Sequence, residues 1–403
     1  MKIQLPTALI ERIDNHIKEE ETFFQIKEKQ RQLLNKKLIN LWYFICSSQI
    51  DDNNNTLKYY TNIPRENFRI FKFKFKTKVF QYNELLNYLN KWDLIDINQK
   101  YCSKKSCNSF TKSYRINTKF LSGTHMTEVE IDFSKIFKNT NNKEYWMKKY
   151  PDHSNLIEDC YNTTINLDEF INWLYMKKGK KLKSKMINGV LTKRYLTSER
   201  IIMYINKALK LHFKNLWFAV SNEGRLYSSI TNLPNDAIDY LRLYEKKVIE
   251  LDVSNCQPLL LAYYINNNDY QKDVENGVFY ERILHKLGWK KKKDRDKLKN
   301  LAYRYFFFSK NILKSGKIYN VINEFYPQLI EQINDLKKNY NLALKLQRME
   351  SYIFIDRIGK LPNKKITRHD SVLIFKEEEK YFKEMIENEF NNYNLKVTVK
   401  VKK

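Results

Sequence analysis

The chain has 403 residues, 42% of them hydrophobic, which is ample for a real core and suggests about two or three domains. Lys and Arg number 73 against 46 Asp and Glu, a formal net charge of +27, which excludes an acidic solvating chain and points to a polyanionic partner. Only 8 Gly and 7 Pro exclude a turn-rich all-β chain and favour helix.

In chain order, the first clear element is an amphipathic helix over 29–50, where Leu33, Leu34, Leu38, Leu41, Trp42 and Ile45 recur at helical spacing. FQYNELLNYLNKW (80–92) predicts a second helix. Two strand-like runs follow, LIDI (94–97) and KSYRINTKF (112–120), separated by a polar, basic loop. Helix, strand, basic turn and strand is an order that resembles winged-helix domains. The resemblance assigns 1–125 to a nucleic-acid-binding domain, with Lys104, Lys105, Lys112 and Arg115 in or beside the wing, in reach of phosphates. A small α+β domain with a solvated basic hairpin fits the same residues.

The section 126–221 reads as a mostly helical linker or thumb-like region. DEFINWLYMKK (168–178) and SERIIMYINKALKLHF (198–213) each have an amphipathic helical pattern. KKGKKLKSK (177–185) between them is either a solvated loop or a strip that tracks a nucleic-acid backbone.

From 222 the character changes. KKVIELDVSNCQPLLLAYYI (246–265) opens as a β-branched run and continues as an apolar helix, with Asp252 at the junction. In KITRHDSVLIF (365–375), Asp370 stands between two strand-like runs. A carboxylate there loses hydration and needs a hydrogen-bonded partner or a cation.

Four segments in this region carry a second resemblance: GRLYSSITNLP (224–234), ELDVSNCQPLL (250–260), DRDKLKNLAYRYFFF (294–308) and RHDSV (368–372). They resemble, in order, the motifs of the A-family DNA polymerases and of their relatives, the bacteriophage-type single-subunit RNA polymerases. The likeness covers about 222–403. It implies a helix-rich α+β fold, a right-hand polymerase palm with a small antiparallel sheet and helical fingers, preceded here by the winged-helix-like domain. The implied activity is template-directed nucleotidyl transfer with two Mg²⁺ ions, Mn²⁺ being a substitute, held by Asp252, Asp370 and the Val253 carbonyl. Phosphoryl transfer rests on positioning and charge neutralisation, which hard oxygen ligands and divalent cations supply.

Arg295, Lys299, Tyr303 and Phe307 recur at every fourth position and so share a helix face. By resemblance they bind the incoming nucleotide, and Lys299 also protonates the leaving pyrophosphate. Arg225, Gln347 and His369 match positions that contact primer-template in relatives. Gln257, five residues after Asp252, stands where DNA polymerases of the family have a Glu that excludes a 2′-hydroxyl. Phe307 stands where relatives have a tyrosine, and so offers no hydroxyl. HDS and GRLY lean to the RNA-polymerase branch, Gln257 and Phe307 to deoxynucleotides, so dNTPs are slightly favoured over NTPs. The expected partners are a DNA template and primer and a replication accessory protein; the expected setting is replication of a mobile element or phage. A single-subunit RNA polymerase or primase, and a non-catalytic DNA-binding replication or regulatory factor, stay open as alternatives.

The five cysteines are scattered. Cys102 and Cys107 are the closest pair and have no second pair at zinc-finger spacing, so no zinc site and a reducing compartment are expected. No apolar run approaches the ~20 residues of a membrane helix, and the expected location is cytoplasmic.

Overall fold

A computed structural model describes residues 2–23, 25–51, 56–57, 61–63, 68, 70–75, 78–98, 112–121, 126–132, 142–187, 190–289, 291–302 and 315–402. The fold is helix-rich, with small antiparallel sheets. It divides into two compact units that interleave along the chain: Met1–Thr140, Ile171–Lys180 and Tyr195–Asn215 form one, and Asn141–Phe170, Lys181–Arg194 and Leu216–Lys403 the other. The section 126–221 is therefore shared between the two units. It also holds an antiparallel hairpin, Lys181–Ile187 with Val190–Tyr195, so part of the basic KKGKKLKSK stretch is strand.

In the first unit, β1 (Lys2–Pro6) leads into α1 (Thr7–Glu19), which turns Leu9, Ile13 and Ile17 inward. The long helix α2 (Glu28–Gln49) coincides with the predicted one, and its second half is buried nearly all round, including Trp42 and Tyr43. α3 (Tyr82–Lys91) starts at a capping box between Gln81 and Glu84 and buries Leu85, Leu86 and Leu89 on one stripe. It ends where Asp93 takes a left-handed φ of 59° and sends the chain into β2 (Ile95–Asn98). β2 pairs with β3 (Ser113–Ile116), and β3 pairs in turn with Thr61–Asn62. β4 (Met126–Glu130) pairs with β1. The helix Ser198–His212, capped by the Thr197 hydroxyl, also belongs to this unit.

The second unit is built on a six-stranded antiparallel sheet. α4 (Ser154–Tyr161) leads into β5 (Thr163–Ile165). β6 (Phe218–Val220) and β7 (Leu226–Ser228) make a separate hairpin. β8 (Leu241–Leu243) turns into β9 (Lys246–Val253) through Tyr244 and Glu245, both at positive φ, as a two-residue hairpin of the I′ kind requires. The strand β9 is the sheet's spine.

Helices α5 (Cys256–Ala262), α6 (Asn268–Glu275), α7 (Phe279–Lys286), α8 (Lys291–Ala302), α9 (Lys317–Phe325), α10 (Leu329–Asn339) and α11 (Leu342–Ser351) follow. Then come β10 (Ile366–Arg368), β11 (Ser371–Phe375), α12 (Glu379–Asn391) and β12 (Val399–Lys402). β9 pairs with β11 on one side, and on the other with β8 at its start and β12 at its end.

The core lies where Leu251 and Val253 of β9 and Val372 and Ile374 of β11 meet α5, α6, α7, α11 and α12, through Leu259, Leu260, Tyr270, Tyr280, Leu346 and Phe382. All seven residues of α5 are buried, which is why that stretch reads as apolar without a stripe. Among the described residues no helix is long and apolar enough to cross a membrane, and the thiols of Cys46, Cys160 and Cys256 are buried.

Candidate active site

Alternation along β9 separates the core from the site. Leu251 and Val253 face the core, while Glu250 and Asp252, two apart, share the opposite face. Asp252 lies opposite Ser371 of β11, and the Val253 amide donates to the Asp370 carbonyl at 3.2 Å. Asp370 is therefore delivered beside Asp252 by the turn between β10 and β11. That turn begins at His369, which takes a left-handed φ of 54°.

Burial pushes the Asp370 carboxyl up from its ordinary range, and the neighbouring Asp252 carboxylate pushes it further. The ammonium groups of Lys299 and Lys402 act in the opposite direction. Lys299 of α8 is thus within electrostatic reach of the pair. Lys402 of β12 approaches Asp252 Oδ1 at 3.0 Å and Glu250 Oε1 at 3.3 Å. Burial works against the charge on Lys402, but Glu250 and Asp252 outweigh it and raise its pKa.

Glu250 is buried at 3% exposure and closely partnered. It accepts from Ser371 Oγ at 2.7 Å and from Arg368 Nη1 at 3.4 Å, in addition to Lys402. Neither Glu250 nor Lys402 stands out in the sequence, although the alternation of ELDV puts Glu250 on the face of Asp252.

Gln257 of α5 and Arg225, next to β7, meet on a third residue absent from the sequence-based set, Glu350 of α11. Arg225 Nη2 donates to Glu350 Oε1 at 2.6 Å, and Gln257 Nε2 donates to Glu350 Oε2. Glu350 is 2% exposed; burial raises its pKa, while Arg225 pulls it down. One signal was available, since Leu342, Leu346 and Glu350 fall at successive fourth positions, on the buried stripe of that helix.

His369 keeps solvent contact and sits edge-on to Tyr227, 5.4 Å between ring centroids. Surrounding protein and the Arg225 and Arg368 guanidiniums push its imidazole down to about 4, so it is neutral at pH 7. Gln347 is half-buried on α11. Arg295 of α8 donates to Glu281 Oε1 at 2.9 Å and lies over the Tyr280 ring. Tyr303 and Phe307 lie outside the described residues. So do Lys104 and Lys105, as well as Cys102 and Cys107. In the first unit Lys112 is exposed, and Arg115 Nε donates to Asp96 at 2.8 Å across β2 and β3.

Among the described residues no group of three or more His, Cys, Asp and Glu could hold a metal ion. The Asp252–Asp370 pair offers two adjacent carboxylates, one of them pushed up by burial and by its neighbour's charge. That donor set fits Mg²⁺, which is commonly held by one or two carboxylates with substrate phosphates and waters completing the shell.

No protein-family model and no curated protein matches the chain. Among solved structures, it is similar to the POL domain of Pol1 from M. smegmatis, in a complex with DNA primer-template and dNTP. The identity is 11%, over 67% of this chain and 72% of that chain, with a TM-score of 0.40.

Proposed function

We propose that the chain is a template-directed nucleic-acid polymerase, with 222–403 as palm and helical fingers and the first unit as a nucleic-acid-binding module. The observation that carries this reading is the antiparallel pairing of β9 with β11, which brings Asp252 beside Asp370. Two like charges placed together at a strand–turn junction are unfavourable unless a cation joins them. Asp252 and Asp370, with the Val253 carbonyl, would hold Mg²⁺ or Mn²⁺, which when bound neutralises charge on the transferring phosphoryl group.

The chain's own residues supply the rest. Lys299, close enough to influence Asp370, is the point charge for the triphosphate and the proton donor to pyrophosphate. Neutral His369 and the Arg225–Glu350 pair border the place for the primer-template. Gln257 faces the nucleotide sugar. The net charge of +27 suits a partner made of phosphates. In the first unit, α3 followed by the β2–β3 pair, with Lys112 exposed, has the helix-and-wing order.

DNA synthesis from dNTPs, in replication of a mobile element or phage with an accessory protein, is slightly favoured. RNA polymerase or primase activity shares the same site and draws on the HDS and GRLY motifs. A non-catalytic DNA-binding factor draws on another observation, that Asp252 and Arg295 already have the intramolecular partners Lys402 and Glu281.

The test is extension of a primed DNA template with Mg²⁺, supplying dNTPs and NTPs separately, with and without primer. Wild type is expected to extend, and Asp252→Asn and Asp370→Asn to lose extension. Equal extension by wild type and both variants, or none by any of them, overturns the catalytic reading.

A further inference from the structure

We propose that Glu350 is a positioning residue for nucleotide-sugar selection, acting through the Gln257 amide that it holds in one orientation. The inference rests on the polymerase reading above.

A glutamine amide can present either its NH₂ or its carbonyl face, and the two ends are nearly isosteric. Here Glu350 makes the choice. An ionised carboxylate only accepts hydrogen bonds, and the NH₂ of Gln257 donates to Glu350, which leaves the carbonyl Oε1 as the end for a substrate. Burial raises the Glu350 pKa to about 7, and the Arg225 guanidinium, 2.6 Å from the other Glu350 oxygen, works against that rise and towards the ionised, acceptor-only form. With Glu350 only 2% exposed, water does not compete for either oxygen.

The arrangement is held from three directions. Gln257 is fixed by the wholly buried α5, and α5 packs on α11, which carries Glu350. Gly224 takes a φ of 81°, which favours glycine, and packs beside Ser351, where a Cβ on it would stand 3.6 Å from the Ser351 Cβ. That approach sets Arg225 against the end of α11. The same neighbourhood reaches the carboxylate pair, because the charge of Asp370 is felt at Glu350 and the buried Cys256 thiol senses Asp252, Asp370 and Glu350 together.

A buried ion pair of this kind is weak evidence of stability, since apolar side chains of similar volume commonly serve as well or better. What apolar residues could not do is fix the orientation of the amide next to them. Gln257 follows Asp252 by five residues and stands in the first turn of α5. An amide locked there meets every incoming sugar with the same atom, and a hydrogen-bonding group of fixed sense discriminates a hydroxyl from a hydrogen far better than one free to flip.

The test measures the dNTP-to-NTP incorporation ratio of the full chain for wild type, Gln257→Ala, Glu350→Ala, Glu350→Gln and the Glu350→Ala/Gln257→Ala double variant. A ratio is unaffected by the fraction of enzyme that folds, so a merely structural role would not move it. Should Glu350→Ala fail to fold, the nearly isosteric Glu350→Gln carries the test. The expected result is a shift of about tenfold for Glu350→Ala, similar to that of Gln257→Ala, with no further shift in the double variant. A ratio unchanged by both Glu350 variants while Gln257→Ala shifts it overturns the proposal, as do shifts that multiply in the double variant. If wild type extends but Gln257→Ala leaves the ratio alone, the proposal fails and the polymerase reading stands. If no enzyme incorporates either nucleotide, both fail.

Discussion

Asp252 stands directly across from Ser371 in the antiparallel register of β9 and β11, so the turn residue Asp370 emerges beside it. The two carboxylates repel, and burial adds to the cost on Asp370. Asp370→Asn, which removes that charge, should therefore raise stability without metal. The same variant should lower primer extension by on the order of a hundredfold or more, the scale of losing one fixed charge-stabilising group. Thermal melting in EDTA and extension in Mg²⁺ read the two effects separately, and a variant that is both less stable and fully active contradicts the assignment.

Lys402 shares its ammonium between Glu250 and Asp252 and is the nearest competitor of a divalent cation for Asp252. Lys402→Met is expected to lower the Mg²⁺ concentration that half-saturates extension by about three- to tenfold, in line with the coupling of contacting charges. Titrating Mn²⁺ binding by electron paramagnetic resonance checks this without reference to turnover. Unchanged metal affinity would show that Lys402 is only a strand partner.

Glu250 is a structural counterpart to these residues. With Ser371, Arg368 and Lys402 all directed at one buried carboxylate, Glu250→Ala leaves the Arg368 charge, itself only 9% exposed, without its carboxylate. The expected loss is about 3 kcal/mol in urea unfolding, as for other broken buried pairs, against about 1.5 kcal/mol for Ser371→Ala.

Lys365 is fully buried at its side chain and donates to the carbonyls of Leu361 and Asn363 at 2.6 and 2.7 Å. Burial lowers its pKa from 10.5 to about 8. Because the folded value lies below the unfolded one, the unfolded chain binds more protons between those pH values. Stability therefore rises from pH 8 towards 10.5 and is lost again as pH falls through 8. The rise is up to about 3 kcal/mol at roughly 1.4 kcal/mol per pKa unit, and it should vanish in Lys365→Met. Chemical denaturation across that range is the measurement.

The sequence by itself determined α2 and α3, the strand β9 running into α5, and the Asp370 turn between two short strands. Each of these rests on local information: apolar period, capping residues and β-branched runs. It also singled out Asp252 and Asp370, because an acid inside an apolar run is anomalous without any knowledge of its neighbours. Only the tertiary structure decided what surrounds them. Glu250, Glu350 and Lys402 look like ordinary solvated charges in the sequence, and their meaning comes from strand register and helix packing that join segments far apart in the chain. The interleaving of the two units is of the same kind, since local period and propensity specify where an element starts and stops, whereas the choice of its partner is made by the packing of the whole chain.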